Sequence, residues 1–277
     1  MLNETAKSLI AAIAISMAFT SCGDKDKEGA MALYQQSQEA VAARNFAGAV
    51  ELLDTLNSRY PEQTAIRRDG LRVRAAAIEG MAIDSISTSS QALAESTLAV
   101  ENLRDGFRHI EGTGGLDGYF IPKKAPQKVM TTTGIQPRVS EKGLFYMIVN
   151  VQGKAIGLRS LEFVSGGESV ISSELSPVRV IKVEGSESAS FNPEDLVGIG
   201  AWVKDHSGAI KVVIHGSKSN TTVKIDKDMR QQIVDCYDYS SALQAQRLAS
   251  IKREKFERML ATARDQLANL PAPQQQQ

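Results

Sequence analysis

The chain has little of what enzymatic or metal chemistry usually needs. It holds 2 cysteines, 3 histidines and 1 tryptophan in 277 residues. His109, His206 and His215 are too scattered to form a His-x-x-x-His zinc pair, and there is no Cys-x-x-Cys, no Gly-x-Ser-x-Gly elbow and no P-loop. Charge of one sign is also missing. Lysine plus arginine number 32 and aspartate plus glutamate 32, so no global field attracts nucleic acid or another polyanion. With only Cys22 and Cys236 present, a disulfide framework is excluded. The apolar run from Leu9 to Phe19 is shorter than the ~20 residues a membrane-spanning helix needs.

That run is nonetheless informative. It follows a lone Lys7 and ends in small residues, the layout of a secretory signal that is cut off and takes no part in the fold. Its ending, Phe19-Thr20-Ser21-Cys22, resembles the lipobox of bacterial lipoproteins, with Phe19 where an aliphatic residue is usual. The resemblance implies that Cys22 becomes the first mature residue and is lipidated on its thiol. Each buried methylene contributes about 0.8 kcal/mol, so a cysteine bearing two or three acyl chains is in effect permanently attached. Gly23-Asp24-Lys25-Asp26-Lys27-Glu28 is similar to the acidic export signal that follows the cysteine in Bacteroidetes-type lipoproteins, although lysines interrupt it; a solvated tether of mixed charge is the other reading.

The mature chain opens on helical periodicity. Glu28 to Tyr60 reads as a hairpin turning at Arg44-Asn45 and closed by Pro61. The spacing Leu33, Ser37, Ala40, Phe46, Ala49, Leu53, Leu56, Pro61 resembles one tetratricopeptide repeat. No second copy follows, so the hairpin must pack on something else. A long helix is expected from Thr64 to His109, its stripe running through Leu71, Ala75, Ile78, Ala82, Ser85, Ser89, Leu93, Ser96, Val100, Leu103, Phe107 and Ile110. A second, from Lys227 to Leu270, carries Ile233, Leu243, Leu248, Ile251, Phe256, Leu260, Ala263 and Leu267. Each would be roughly 65 to 70 Å long at about 1.5 Å per residue. Half-apolar helices need partners. An antiparallel pair within one chain answers that need, and a homo-oligomeric coiled coil is the rival.

Between them the pattern turns to strands. The cluster Gly112-Thr113-Gly114-Gly115 reads as a helix stop and linker. Leu144 to Val151 and Lys154 to Val164 flank Gln152-Gly153 as a predicted hairpin, and Val170 to Ile171, Val178 to Val183 and Ile210 to His215 continue the sheet. Asn192-Pro193-Glu194-Asp195 has the marks of a helix start, with Leu196, Ile199, Trp202 and Val203 on one face.

The fold expected is therefore α+β, with a helical hairpin and a long antiparallel helix pair, a coiled-coil stalk, carrying an inserted, mainly antiparallel β-rich domain with one helix. The segments are signal 1–21, tether 22–30, hairpin plus long helix 31–110, β-rich insert 111–225, closing helix 226–270 and disordered tail 271–277. Asp205-His206-Ser207 names triad residue types but sits where a helix ends, and Glu194 and Asp195 are explained by the helix macrodipole. Tyr119, Phe120, Trp202, Tyr237 and Tyr239 are read as buried aromatics in preference to a carbohydrate platform.

Taken whole, the chain resembles uncharacterised Bacteroidetes-type lipoproteins that join a lipobox, an amino-terminal helical hairpin, a β-rich insert and a closing helix. The family lends no catalytic residue. Its implied setting is the bacterial outer membrane, facing the periplasm or the cell surface. The expected role is a structural or protein-interaction module, not an enzyme, held by acyl chains on Cys22, with an envelope protein as partner and no nucleic acid, cofactor or metal. Glycan or nutrient capture is the alternative, and hydrolysis of an envelope polymer a third reading.

Overall fold

The computed structural model describes residues 22–271 apart from 116, 127–130, 154 and 184, with side chains from residue 25 onward. The signal segment 1–21 and residues 272–277 of the tail lie outside the described residues. The fold is α+β, with a long helix packed on another and two antiparallel sheets. The chain divides into two compact units, Met1–Ser85 with Phe256–Gln277, and Ile86–Lys255.

The first unit is helical. Helices α1 (Cys22–Ala42) and α2 (Phe46–Arg59) form the expected hairpin, reversing through Arg44 at φ 59° and Asn45, whose side chain accepts the Gly48 amide at 3.2 Å and so caps α2. The stretch 22–30, expected as a tether, is helical, because Ala30 is fully buried with Leu53, Leu56 and Ile66 and its packing draws the preceding turns into the helix. The hairpin's partner is the amino-terminal half of α3 (Thr64–Arg104). Gly70 lets Leu53 approach, a Cβ there lying 3.0 Å from its methyl, and Gly80 similarly admits the ring of Phe46. Ile66, Gly70, Val73, Ala77 and Gly80 make one helical face, and Arg67 reaches Asn57 at 3.0 Å beside it. The opposite face meets α5 (Lys227–Asn269) in antiparallel sense: Arg72 donates to the carbonyls of Leu267 and Leu270, and Arg264 pairs with Glu79 at 2.9 Å. Ala75 and Ala82 are buried, as the stripe predicts, but Leu71 is exposed.

The second unit holds the sheets. Its six-stranded sheet runs β1 (Phe107–Ile110), β2 (Tyr119–Pro122), β3 (Gly134–Ser140), β4 (Phe145–Gln152), β8 (Ser186–Phe191), β7 (Val180–Val183). The four-stranded sheet runs β10 (Thr221–Ile225), β9 (Ile210–Gly216), β5 (Leu158–Ser165), β6 (Glu168–Ile171). Both contribute to one core with the amino-terminal part of α5 through Ile233, Cys236 and Tyr239. Ser240 fastens that helix to the β3–β4 turn, donating to the Gly143 carbonyl at 2.7 Å and accepting the Phe145 amide at 3.0 Å. In this unit Thr97 of α3 and Gln246 of α5 bond at 3.0 Å, again antiparallel.

Several expectations are corrected. The long helix stops at Arg104 and not at His109, since Phe107 leaves its stripe to pair with Pro122 and stack on Tyr239 at 4.5 Å. Leu248 and Ile251 are 53% and 52% exposed, while Ala249 is buried in their place, so the packed side of α5 is rotated from the one expected. Gln152-Gly153 is not a hairpin turn. Both edges of β4 are already taken by β3 and β8, so the chain leaves that sheet, with Gly153 at φ 90° and Gly157 at φ 69°, and β5 joins the other. The buried Glu187 holds this exit: its Oε2 accepts the amides of Ile156, Gly157 and Leu158 at 2.8 to 3.2 Å. The helix expected at Asn192 begins only with α4 (Ile199–Asp205), after Gly198 at φ 79°.

Candidate functional site

The described residues hold several pairs of titratable groups, and their geometry shows what each does. Arg179 grips Asp195 at 3.0 and 2.6 Å and the Ser190 carbonyl at 2.9 Å, while Asp195 also accepts the Asn192 amide at 2.7 Å. Asp195 is thus a tie between segments; the macrodipole role expected for it is replaced because the helix starts later. Asp195 holds the Arg179 guanidinium above its usual value by hydrogen bonding. Cys236 is buried, and desolvation raises its thiol well above the ordinary range, which removes it from thiolate chemistry.

Each histidine meets a glutamate: His109 with Glu141 at 2.7 Å, His206 with Glu168 at 3.0 Å, His215 with Glu162 at 2.9 Å. Around Glu162 the order is wrong for a nucleophile. Glu162 lies between His215 and Ser169, bonded to both and lowered in pKa first by His215, whereas a hydrolytic triad needs the imidazole in the middle. Ser207 is exposed, and His206 faces Glu168 and Trp202. Among the described residues no group of three His, Cys, Asp or Glu is placed to hold a metal.

His206 makes a testable pH device. Its Nδ1 meets the Trp202 carbonyl at 2.8 Å, its Nε2 meets Glu168, and its ring stacks 3.9 Å from the indole. The backbone bond, then Glu168, raises its pKa. The stabilisation is therefore fully present below the unfolded value near 6.5 and lost as pH rises through the folded one. His206→Gln is expected to lower the melting temperature at about pH 5.5 and to have a smaller effect at about pH 9. Trp202, the only tryptophan, should report the same titration in its emission. A pH-independent difference between the two proteins would contradict this.

The aromatic residues do not converge. Tyr239 is buried between Phe107 and Phe120, Tyr237 lies against Gly200 and edge-on to Phe145, and Tyr119 lies under Arg138 at 4.0 Å. Trp202 is half-buried on the core, less enclosed than Ile199 and Val203 beside it.

A cavity of about 420 Å³ opens between Thr131–Gln136 and the start of α5. Among the described residues its wall contains no aromatic side chain. Asp226 there caps α5, accepting the Met229 amide at 2.7 Å, and Asp228 occupies the first turn, so neither carboxylate needs a catalytic explanation. Gln232, also on the wall, keeps its Oε1 buried with no partner among the described residues.

The most unusual surface lies at the end of the six-stranded sheet. Val178, Val197, Ile181 and Val183 are 91%, 77%, 66% and 65% exposed, the four most exposed large apolar residues described. The segments that carry them are tied together: the Asp195 carbonyl accepts the Ser173 amide at 2.9 Å and its carboxylate holds Arg179, so Val178 and Val197 lie within two residues of these ties and Ile181 and Val183 follow on β7. From the sequence, Val178 to Val183 is expected to continue the sheet, with no position in the strand order assigned. Apolar β-branched residues look alike at an edge and in a centre, and only the strand order separates the two. Cys22, the expected lipidation site, opens α1.

No protein-family model, no curated protein and no solved structure matches this chain.

Proposed function

We propose that the chain is a lipid-anchored cell-envelope lipoprotein that works as a protein-interaction module and not as an enzyme. The anchor rests on the lipobox-like Phe19-Thr20-Ser21-Cys22, and the outer membrane is the setting which that resemblance implies. The observation that carries the interaction role is the high exposure of Val178, Ile181, Val183 and Val197, all carried on β7 or on segments tied to its start. Contiguous exposed apolar surface is uncommon on soluble proteins and marks contact sites. The second reading, capture of a small ligand, draws on the 420 Å³ cavity and the lone Gln232 Oε1, which asks for a hydrogen-bond donor.

Two measurements test this. A photo-reactive residue at Val178 in intact cells is expected to give a discrete protein adduct, and the same residue at the exposed Leu98 to give none. Equal labelling at both positions, or none at either, would remove the interaction role. Cys22→Ala is expected to move the protein out of the membrane fraction after a high-salt wash and to abolish fatty-acid labelling. A variant that sediments and labels like the parent would remove the anchor.

A further inference from the structure

We propose that the outer edge of β7 is a strand-addition site, taking an extended segment of a partner protein that carries apolar residues at alternate positions and a carboxylate between them. This rests on the reading of the chain as an interaction module, and it names the partner's chemistry.

The main chain says what kind of occupant fits. β7 is the terminal strand of its sheet and pairs only with β8, so every second residue turns its N–H and C=O outward. An extended backbone satisfies such a row; a helix or a small molecule does not. Natural edges are blunted by shortness, by charged side chains such as lysine, by proline, by a bulge or by a covering element. Val180-Ile181-Lys182-Val183 contains no proline and stays in register with Ser186 to Ala189 throughout, so its guards are its four-residue length and the single charge of Lys182, which repels like charge and admits an acidic strand. At the edge of the other sheet, by comparison, β6 is tied to the end of α4 by Glu168 and His206.

The side chains then narrow the occupant. Ile181 and Val183 share one face of the strand and are both exposed, while Val180 and Lys182 share the other, where Val180 packs on the core. An added strand would lay two apolar residues beside Ile181 and Val183. Lys182 is exposed and makes no ion pair among the described residues. It sits across from Glu187, whose carboxylate is buried, with Oε2 taken up by three amides and Oε1 unbonded among the described residues, and the two side chains form no ion pair there. A carboxylate on the incoming strand opposite Lys182 is the missing partner, since opposite charges facing across strands attract and like charges repel.

The same rule disfavours a second copy. A two-fold pairing of β7 with itself that keeps the sheet faces matched can centre on Lys182, which sets two ammonium groups opposite each other. It can also centre on Ile181 or on Val183, and each of these leaves the other of the two exposed residues without an apolar partner. A partner segment with the pattern apolar-acid-apolar meets neither difficulty.

The test uses the full chain and a labelled synthetic peptide, Thr-Val-Thr-Val-Glu-Val-Thr, followed by fluorescence anisotropy. Saturable binding is expected. Lys182→Glu should weaken it at least about tenfold, and a peptide with lysine in place of its glutamate should bind Lys182→Glu and not the parent. A peptide with proline at its centre should fail. Lys182→Glu changes an exposed position, and circular dichroism confirms that the variant is folded. Absence of saturable binding, equal binding to the parent and Lys182→Glu, or a dimer through β7 that the peptide does not dissociate would each overturn the proposal. A discrete protein adduct at Val178 in cells alongside a failed peptide experiment would sink strand addition alone. No adduct would sink the interaction role itself.

Discussion

Glu187→Ala is expected to destabilise the β-rich unit by about 3 kcal/mol or more, the largest effect of any single polar substitution in that unit. One carboxylate oxygen serves the amides of Ile156, Gly157 and Leu158, and the residue is 1% exposed. Truncation leaves three donors without an acceptor in a place water barely reaches, and each such group costs about 1 to 3 kcal/mol. Some of that is returned, because Glu187 also buries a charge and its Oε1 has no partner among the described residues. Glu187→Gln keeps an acceptor but loses the charge assistance, which makes hydrogen bonds roughly twice as strong. It should fall between the parent and the alanine variant. Urea unfolding followed by Trp202 emission measures both. A loss under about 1 kcal/mol for alanine would show that the exit of β4 is held by something else.

Leu53→Ala is expected to cost the helical unit about 2 to 5 kcal/mol, the usual range for removing a fully buried leucine. Leu53 is 1% exposed and packs where Gly70 of α3 allows close approach, so a cavity there cannot close without shifting a helix. Far-ultraviolet circular dichroism melts read it. Leu248→Glu, on the exposed side of α5, should stay within about 0.5 kcal/mol of the parent. If Leu248→Glu proved as damaging as Leu53→Ala, the packed side of α5 would have to be reassigned.

What could be read from the sequence follows from where hydrophobicity is concentrated. The hairpin, its turn at Arg44-Asn45, the start of α5 at Lys227 and the antiparallel helix pairing were legible, because their signals are local. The second face of α3 was not. It is made of Gly70, Ala77 and Gly80 with only Ile66 and Val73 strongly apolar, and glycine or alanine contributes almost nothing to a periodicity while permitting the closest contact. The strands were partly legible. β3 was missed because Pro137 argues against a central strand, yet β2 pairs only with Val139 and Ser140, so at Pro137 the strand is locally an edge and no N–H is needed. β8 was missed because Ser186, Ser188 and Ser190 alternate with Glu187, Ala189 and Phe191, a pattern in which a buried glutamate reads as solvent-facing. Of the candidate sites, Cys22 rests on its resemblance to a sequence motif alone. The β7 edge was not legible, since an open edge is a property of strand order.

Crosslinking between α3 and α5 tests the architecture most directly. These helices pair antiparallel within one chain, with Thr97 bonded to Gln246 at 3.0 Å. Thr97→Cys and Gln246→Cys are combined in a Cys22→Ala chain and treated with a short bismaleimide, leaving Cys236 buried as the only other thiol. The expected product is an internally linked monomer, and mixing chains that carry one cysteine each should give no covalent dimer. Dimers from the mixed single-cysteine chains, with little internal product in the doubly substituted one, would mean that the long helices pair between chains and would contradict the account.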